Sequence, residues 1–330
     1  MARWQFCNIL HVGPDACRLW QFDAKGDGFA LNREHTGAAG EPLPFNLVAR
    51  SWRSLWQPRL NVAWLPPENV FLRVIELPRS NFEESLAMVE LQLEKLSPLP
   101  VAQVVWMIHV LPQTTSDLQT VIVVIAARHA VEEFLGKLEG QGYLADRLEA
   151  PMLDELAATP ATGDGAWIYP AASAGQNVAL VAWWFGGALR NLSFVVLSPT
   201  GDRAKSLKDQ LAQLTWAGEL EGWLTASPAW HLVAAGAVAS EWEGVLLASL
   251  GEPVQVTPPL AFAELAARTA RRSTQSDNRS TMLPSEFSAR YHQQFVDRLW
   301  LRGLAATGVL YAIGVAVYFC ATTVLGYQVS

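Results

Sequence analysis

Between residues 82 and 96 apolar side chains recur at intervals of three and four: Phe82, Leu86, Val89, Leu93 and Leu96. That spacing lays one apolar stripe along a helix. Ser80 or Asn81 can cap its start, Glu83 and Glu84 fall in its first turn, and Pro98 and Pro100 stop it. Upstream the pattern shortens to strand-length runs. FCNILHVGPDACRLWQFDAKGDG reads as two strands parted near Gly13-Pro14, and NVAWLPPENVFLRVIELP as two more, broken at Pro66-Pro67. VVWMIHVLP and TVIVVIAAR flank a polar loop, and the second runs into the helix HAVEEFLGKLEGQG. A short strand DRLEA and a helix MLDELAA follow.

The next stretch, TPATGDGAWIYPAASAGQ, is rich in small and turn-forming residues, so it is expected to be a join, with residues 163–167 as a turn. NVALVAWWF and ALRNLSFVVLS predict a hairpin around Gly186-Gly187, placing Trp183 and Trp184 on opposite faces. A helix with Leu207, Leu211 and Leu214 inward comes next. It is followed by a strand entering a small-residue turn (WHLVAAGAVAS), a helix (EWEGVLLASLG) and a short strand (PVQVTPP). The polar residues from 273 to 281 predict an exposed linker.

From Gly303 to Ser330 no residue carries a formal charge. The apolar core, Leu304 to Leu325, rises about 33 Å as a helix, enough to cross a hydrocarbon layer of about 30 Å. Arg290, Arg298 and Arg302 precede it and nothing basic follows, which predicts residues 1–302 in the cytoplasm. SEFSARYHQQFVDRLW reads as a membrane-proximal helix, with Phe287, Tyr291 and Phe295 on one side and Arg290 and Arg298 suited to anionic headgroups. At the other end Asn8, His11 and Asp15 interrupt the apolar stretch, which argues against a signal peptide.

Composition narrows the function classes. The 330 residues are 51% hydrophobic and 17% charged, with a net charge of -7. Seven arginines and three acids lie from residue 265 onward, so the positive charge gathers at the C-terminal end of an acidic body. A body of that sign does not suit nucleic acid. Cys7, Cys17 and Cys320 have no metal-binding spacing, the six histidines are scattered, and no metal site is expected. No P-loop and no G-x-S-x-G elbow is present.

Three segments in order carry a family resemblance: LRVIELPRSNFEESLAMVELQLEKLSPLP at 72–100, LVAAGAVASEWEGVLLASLGEPVQV at 232–256, and MLPSEFSARYHQQFVDRLW before the span. The first two resemble the PilM and GspL families of type IV pilus and type II secretion assembly platforms. The third resembles the juxtamembrane region of the PilN family. The resemblance implies an α/β fold: a duplicated actin/Hsp70-like (ribonuclease H-like) cytoplasmic body followed by a single transmembrane helix. It implies a first half at 1–160 with an inserted small subdomain, a second half at 161–264, and a basic linker and juxtamembrane helix at 265–298. The transmembrane helix would then occupy 299–326 and an extracytoplasmic tail 327–330.

It also implies a bacterial inner-membrane scaffold whose partners are other platform proteins and the motor ATPase or its adaptor, assembled as a homo-oligomer or ring. The alternative is a membrane-tethered actin-like ATPase using ATP and magnesium in a remodelled pocket. The phosphate-binding pattern is weakened. His11 takes the expected acid position, Gly13 alone retains loop character, and Pro14 lacks an N–H. Asp15 is the one candidate for a displaced metal ligand. NVALVAWWFGGALRNL, read as the second phosphate element, has no D-x-G, and the adenosine-side cluster contracts to Gly236. Gly13 and Gly236 are therefore expected as vestiges of a cofactor site in a pseudo-ATPase without catalytic residues or a cofactor.

Overall fold

The computed structural model describes residues 4–14, 16–26, 28–48, 56–111, 117–159, 163–173, 176–198, 201–277 and 279–329. Its contacts divide into two units, Met1–Ala49 with Pro58–Leu283, and Arg50–Gln57 with Pro284–Ser330.

The first unit holds two five-stranded sheets that follow the same path. In the first, β1 (Phe6–Val12), β2 (Ala16–Lys25) and β3 (Gly28–Ala38) form an antiparallel meander. After the short helix α1 (Phe45–Val48), β4 (Arg59–Trp64) pairs parallel to β1. Between β4 and the last strand of that sheet the chain builds a separate three-stranded sheet. It contains β5 (Phe71–Pro78), the helix α2 (Phe82–Leu96), β6 (Val104–Val110) and β7 (Leu118–Ala127), ordered β5-β7-β6 and wholly antiparallel. The helix α3 (Arg128–Gly140) leads to β8 (Arg147–Glu149), which completes the first sheet as β3-β2-β1-β4-β8. The helix α4 (Met152–Ala158) follows.

The second sheet repeats this order. β9 (Gly165–Ser173), β10 (Gln176–Phe185) and β11 (Ala188–Leu197) form its meander. The helix α5 (Arg203–Leu220) then precedes β12 (Ala229–Val233), parallel to β9. The helix α6 (Gly236–Leu250) leads to β13 (Gln255–Thr257), and the order is β11-β10-β9-β12-β13. The result is a mixed α/β fold of two similar sheet-based halves, the duplicated architecture that the actin/Hsp70-like resemblance implies.

Local chemistry accounts for these elements. Asn81 caps α2 by accepting from the Glu84 N–H at 2.9 Å, and Val89 and Leu93 of the stripe are fully buried against Val121, Val123 and Ile125 of β7. Gly186 and Gly187 turn the β10–β11 hairpin with φ of 62° and 72°, the left-handed pair a two-residue turn requires. Trp183 is completely buried and Trp184 half-buried, with a register irregularity between them.

Three sequence expectations are corrected. The presumed join at 159–176 contains β9, the central strand of the second sheet. Ala166 and Ile168 point into the core, but glycine, alanine and Pro170 mask the alternation. Pro170 is tolerated because pairing with β12 stops at Ile168. Gly165 is needed where the chains cross, since a β-carbon there would lie 2.5 Å from the Ala229 carbonyl oxygen. Second, the basic linker expected from 265 is instead the helix α7 (Phe262–Gln275). Its Leu265, Ala266 and Ala270 pack against Cys7, Ile9, Trp20, Val62 and Trp64 of the first sheet, so α7 completes that half from far along the chain. The polar stretch after it also docks: the Met282 N–H donates to the Leu148 carbonyl at 3.2 Å, beside the β8 edge. Third, the small-residue turn at 236 is the first turn of α6.

The second unit is dominated by the helix α8 (Ser285–Val329), which is 45 residues long and rises about 67 Å. It is long and apolar enough to cross a membrane and matches single-pass membrane topology, with the bulk of the chain preceding it.

Candidate functional site

The turn between β1 and β2 is where an actin-like body would approach phosphate. Here Gly13 closes a tight turn, and its N–H donates to the Ala16 carbonyl at 2.9 Å. A β-carbon at Gly13 would stand 3.1 Å from that same oxygen. The glycine therefore serves the turn itself, and its amide is already engaged. Pro14 has no N–H. Asp15 lies outside the described residues.

Aromatic rings pack together beside this turn. His11 stacks on Phe262, the first residue of α7, with centroids 5.4 Å apart, and meets Trp64 at 5.5 Å. Trp20 lies 5.6 Å from Trp64, and the Arg18 guanidinium sits over Phe262 at 5.3 Å. Burial, with the Arg18 charge second, pushes the His11 imidazole down to about 4. A histidine ring packed on Phe262 and Trp64 offers no carboxylate oxygen to a hard cation such as magnesium. The adjoining cleft, about 370 Å³, is lined by His11, Gly13, Pro14, Trp64, Pro66 and Phe134, and by Glu133 and Lys137. Those last two pair with each other at 2.8 Å, so the lysine is neutralised within its own helix.

Gly236 stands elsewhere. It opens α6 with φ of 63°, and a β-carbon there would meet nothing within 4 Å. It answers a backbone requirement rather than a close approach. No described cavity is lined by both Gly13 and Gly236. The two sheets share one strand order, so the segment read as a second phosphate element does not match the β1–β2 turn. The counterpart of the β1–β2 turn is the β9–β10 turn, at 174–175, which lies outside the described residues; NVALVAWWFGGALRNL instead forms the β10–β11 hairpin. Among the described residues no group of three or more His, Cys, Asp or Glu is arranged to hold a metal.

No family profile and no curated protein matches this chain. Solved structures do. The PilM–PilN type IV pilus biogenesis complex is similar at 17% identity over 83% of this chain and 97% of that one, with a TM-score of 0.49. The cytoplasmic domain of EpsL, an inner-membrane component of the Vibrio cholerae type II secretion system, is similar at 13% identity over 86% and 99%, with a TM-score of 0.45. A Bacteroides thetaiotaomicron protein with an actin-like ATPase fold is similar at 13% identity over 80% and 96%, also at 0.45.

The densest charged chemistry lies in a network that the sequence reading missed. Arg272 of α7 donates from Nε and Nη2 to the two Asp154 oxygens at 2.9 Å each, and from Nη1 to Glu149 at 2.7 Å. Arg147 donates to the other Glu149 oxygen at 3.0 Å, to the Asp277 carbonyl at 3.1 Å and to the Ser280 carbonyl. Thr269 donates to Asp154 at 2.6 Å and accepts from the Trp64 indole N–H at 3.1 Å. Burial opposes the Arg272 charge, but Glu149 and Asp154 outweigh it and hold the guanidinium above its ordinary value. The network binds α7 to β8 and α4. Its sequence signal is slight: Arg147 and Glu149, two residues apart, fall on one face of a short strand.

Nearby, burial with Asp154 second raises the Glu155 carboxyl to about 7. It lines a small cavity of about 70 Å³ with Tyr169, Thr159 and Val233. His109 of β6 is pushed down to about 4, by burial first and then by Arg272.

Proposed function

We propose that this chain is a membrane-anchored scaffold of a type IV pilus or type II secretion assembly platform. Its body links cytoplasmic motor components to the membrane complex without hydrolysing ATP. The carrying observation is the β1–β2 turn: its glycine amide is occupied, its next residue is proline, and the ring of His11, stacked on Phe262 and against Trp64, stands where the resemblance places an acid. A duplicated body whose turn offers neither a free glycine amide nor an acid suits recognition and assembly better than phosphate transfer. The ordered PilM-, GspL- and PilN-like segments and the C-terminal apolar helix supply the context: a bacterial inner membrane, a cytoplasmic body, and platform proteins with the motor ATPase or its adaptor as partners. Homo-oligomerisation would multiply weak contacts at each subunit.

The test is cross-linking of the full chain in its own host, with photoreactive residues at exposed positions of α2 and α5. Recovery of inner-membrane platform proteins or the motor ATPase is the expected result. Cross-links confined to proteins outside any secretion or pilus system would overturn the reading. The second reading, an actin-like ATPase with a remodelled pocket, rests on Asp15 as a displaced metal ligand and predicts magnesium-dependent nucleotide binding.

A further inference from the structure

A second cavity, about 350 Å³, shares no lining residue with the cleft beside Gly13. Its wall is one flank of α7, where Arg268, Arg272 and Gln275 recur at four- and three-residue spacing with Arg271 beside them, and Asp154 and Ser276 complete it. The chemistry of this lining is unequal. Arg272 is spent on Glu149 and Asp154. Asp154, the only acid in the lining, has both oxygens engaged, one by Arg272 and the other by Arg272 and Thr269. Its ion pair is with Arg272, not with Arg268 or Arg271. Arg268 and Arg271 are exposed, and neither has an ion-pair or side-chain hydrogen-bond partner among the described residues.

That is unexpected on an acidic body, where residues 1–264 carry 28 acids against 17 basic residues. A helix C-terminus does favour cations in its last turn, which explains Arg272 but not Arg268 a turn earlier. The tip of the Arg271 side chain lies beside Gly28 of β3. A β-carbon at Gly28 would approach its Nη2 to 3.3 Å. Within the lining three guanidiniums face one carboxylate that is paired with Arg272, which leaves Arg268 and Arg271 without an ion-pair partner, next to the amide of Gln275. Forked guanidinium donors match the tetrahedral oxyanion of a phosphate group.

We infer that Arg268, Arg271 and Gln275 form a binding site for a phosphate-class oxyanion, with the Arg272–Asp154 pair as its fixed floor. The cavity is of the size that small-ligand sites occupy, so a diphosphate or phosphorylated small molecule fits the class. A lipid headgroup offers the same chemistry from a second source. The site is independent of the scaffold reading and of the β1–β2 turn.

The test uses the full chain in lipid nanodiscs, with inorganic diphosphate as the probe and hydrogen exchange of residues 262–276 as the readout. In phosphatidylcholine discs diphosphate should protect α7 saturably, beyond chloride at matched ionic strength. The exposed double variant R268Q/R271Q should weaken that binding about tenfold or more, while R290Q/R298Q should not. Protection by phosphatidylglycerol discs alone, abolished by R268Q/R271Q, supports the same site with the headgroup as its source. Absence of protection in both settings, or equal protection in R268Q/R271Q, overturns the assignment. Unchanged exchange in the protected core strand β7 shows that the variant remains folded.

Discussion

The two halves of the body share a strand path and differ in what covers it. Under α5 and α6 the second sheet packs Trp183, Trp230 and Trp242, all supplied by its own stretch of chain. The first sheet is closed by α7, which arrives after the second half is finished and brings Phe262 to His11 and Arg272 to Glu149 and Asp154. The local cover adds to its apolar burial only light polar ties, from Gln210 to the Val196 backbone and from Arg203 to Glu241. A cover delivered from more than a hundred residues away is fixed by a buried ionic network as well. Buried ion pairs are poor sources of net stability, but they are unforgiving of a missing partner, which suits a contact that must form in one register.

The sharpest way to break this contrast is to remove Glu149, which accepts from both Arg147 and Arg272. Glu149→Gln should cost about 3–5 kcal/mol, because the buried Arg147 and the partly buried Arg272 lose their shared charge. Chemical denaturation of the full chain in detergent measures it, and a loss under about 1 kcal/mol would show that α7 is held by packing alone. The tryptophans sharpen the same comparison. The Trp64 N–H has a partner in Thr269, whereas the Trp183 N–H is buried without a hydrogen bond. Trp64→Phe should therefore cost about 2–3 kcal/mol and Trp183→Phe about 1–2, since the second removes an unsatisfied donor along with its packing. Equal costs would contradict that account.

The pH profile is the next test, and its two components have opposite signs. His11 and His109, held near 4 in the folded chain, stay neutral while the unfolded chain protonates near 6.5. Their contribution is present above pH 6.5 and is lost as pH falls through 4, at most about 3 kcal/mol each. Glu155, raised from 4.5 to about 7, binds a proton that the unfolded chain releases, so its contribution is present below pH 4.5 and is lost as pH rises through 7. Glu155→Gln should leave stability rising more steeply between pH 4.5 and 6.5 and add about 1 kcal/mol above pH 7. Thermal unfolding at several pH values reads both effects; a fall in stability across pH 4.5–6.5 in Glu155→Gln would contradict the signs. The smallest effect belongs to the exposed bridge between Arg190 of β11 and Glu76 of β5, 2.7 Å apart. A double-mutant cycle there should return about 0.2–1 kcal/mol, and a larger value would make it a structural tie between the second sheet and the small one.

Legibility in the sequence followed burial. Strong periodicity marked α2, the β10–β11 hairpin and the membrane-length helix because each presents one clean apolar face. β3, GFALNREHTGA, gave no such signal because an edge strand is largely exposed and reads as polar. β9 was hidden by its glycine, proline and alanines, which the packing requires at the β12 contact and tolerates elsewhere. The most consequential miss was α7. Its arginines and threonines resemble a linker, and only the carboxylates of β8 and α4, remote in sequence, reveal that Arg272 is buried for pairing. At the candidate site the proline and the lone glycine were readable; the engaged Gly13 amide and the ring stack came only from three dimensions.

The claim that the β1–β2 turn no longer serves nucleotide is tested most directly by calorimetry of the full chain in detergent with Mg-ATP, using a competent actin-like ATPase as positive control. The account predicts no saturable heat up to millimolar nucleotide. Saturable, magnesium-dependent binding that disappears in Asp15→Asn would contradict it and make the body an ATP-binding one.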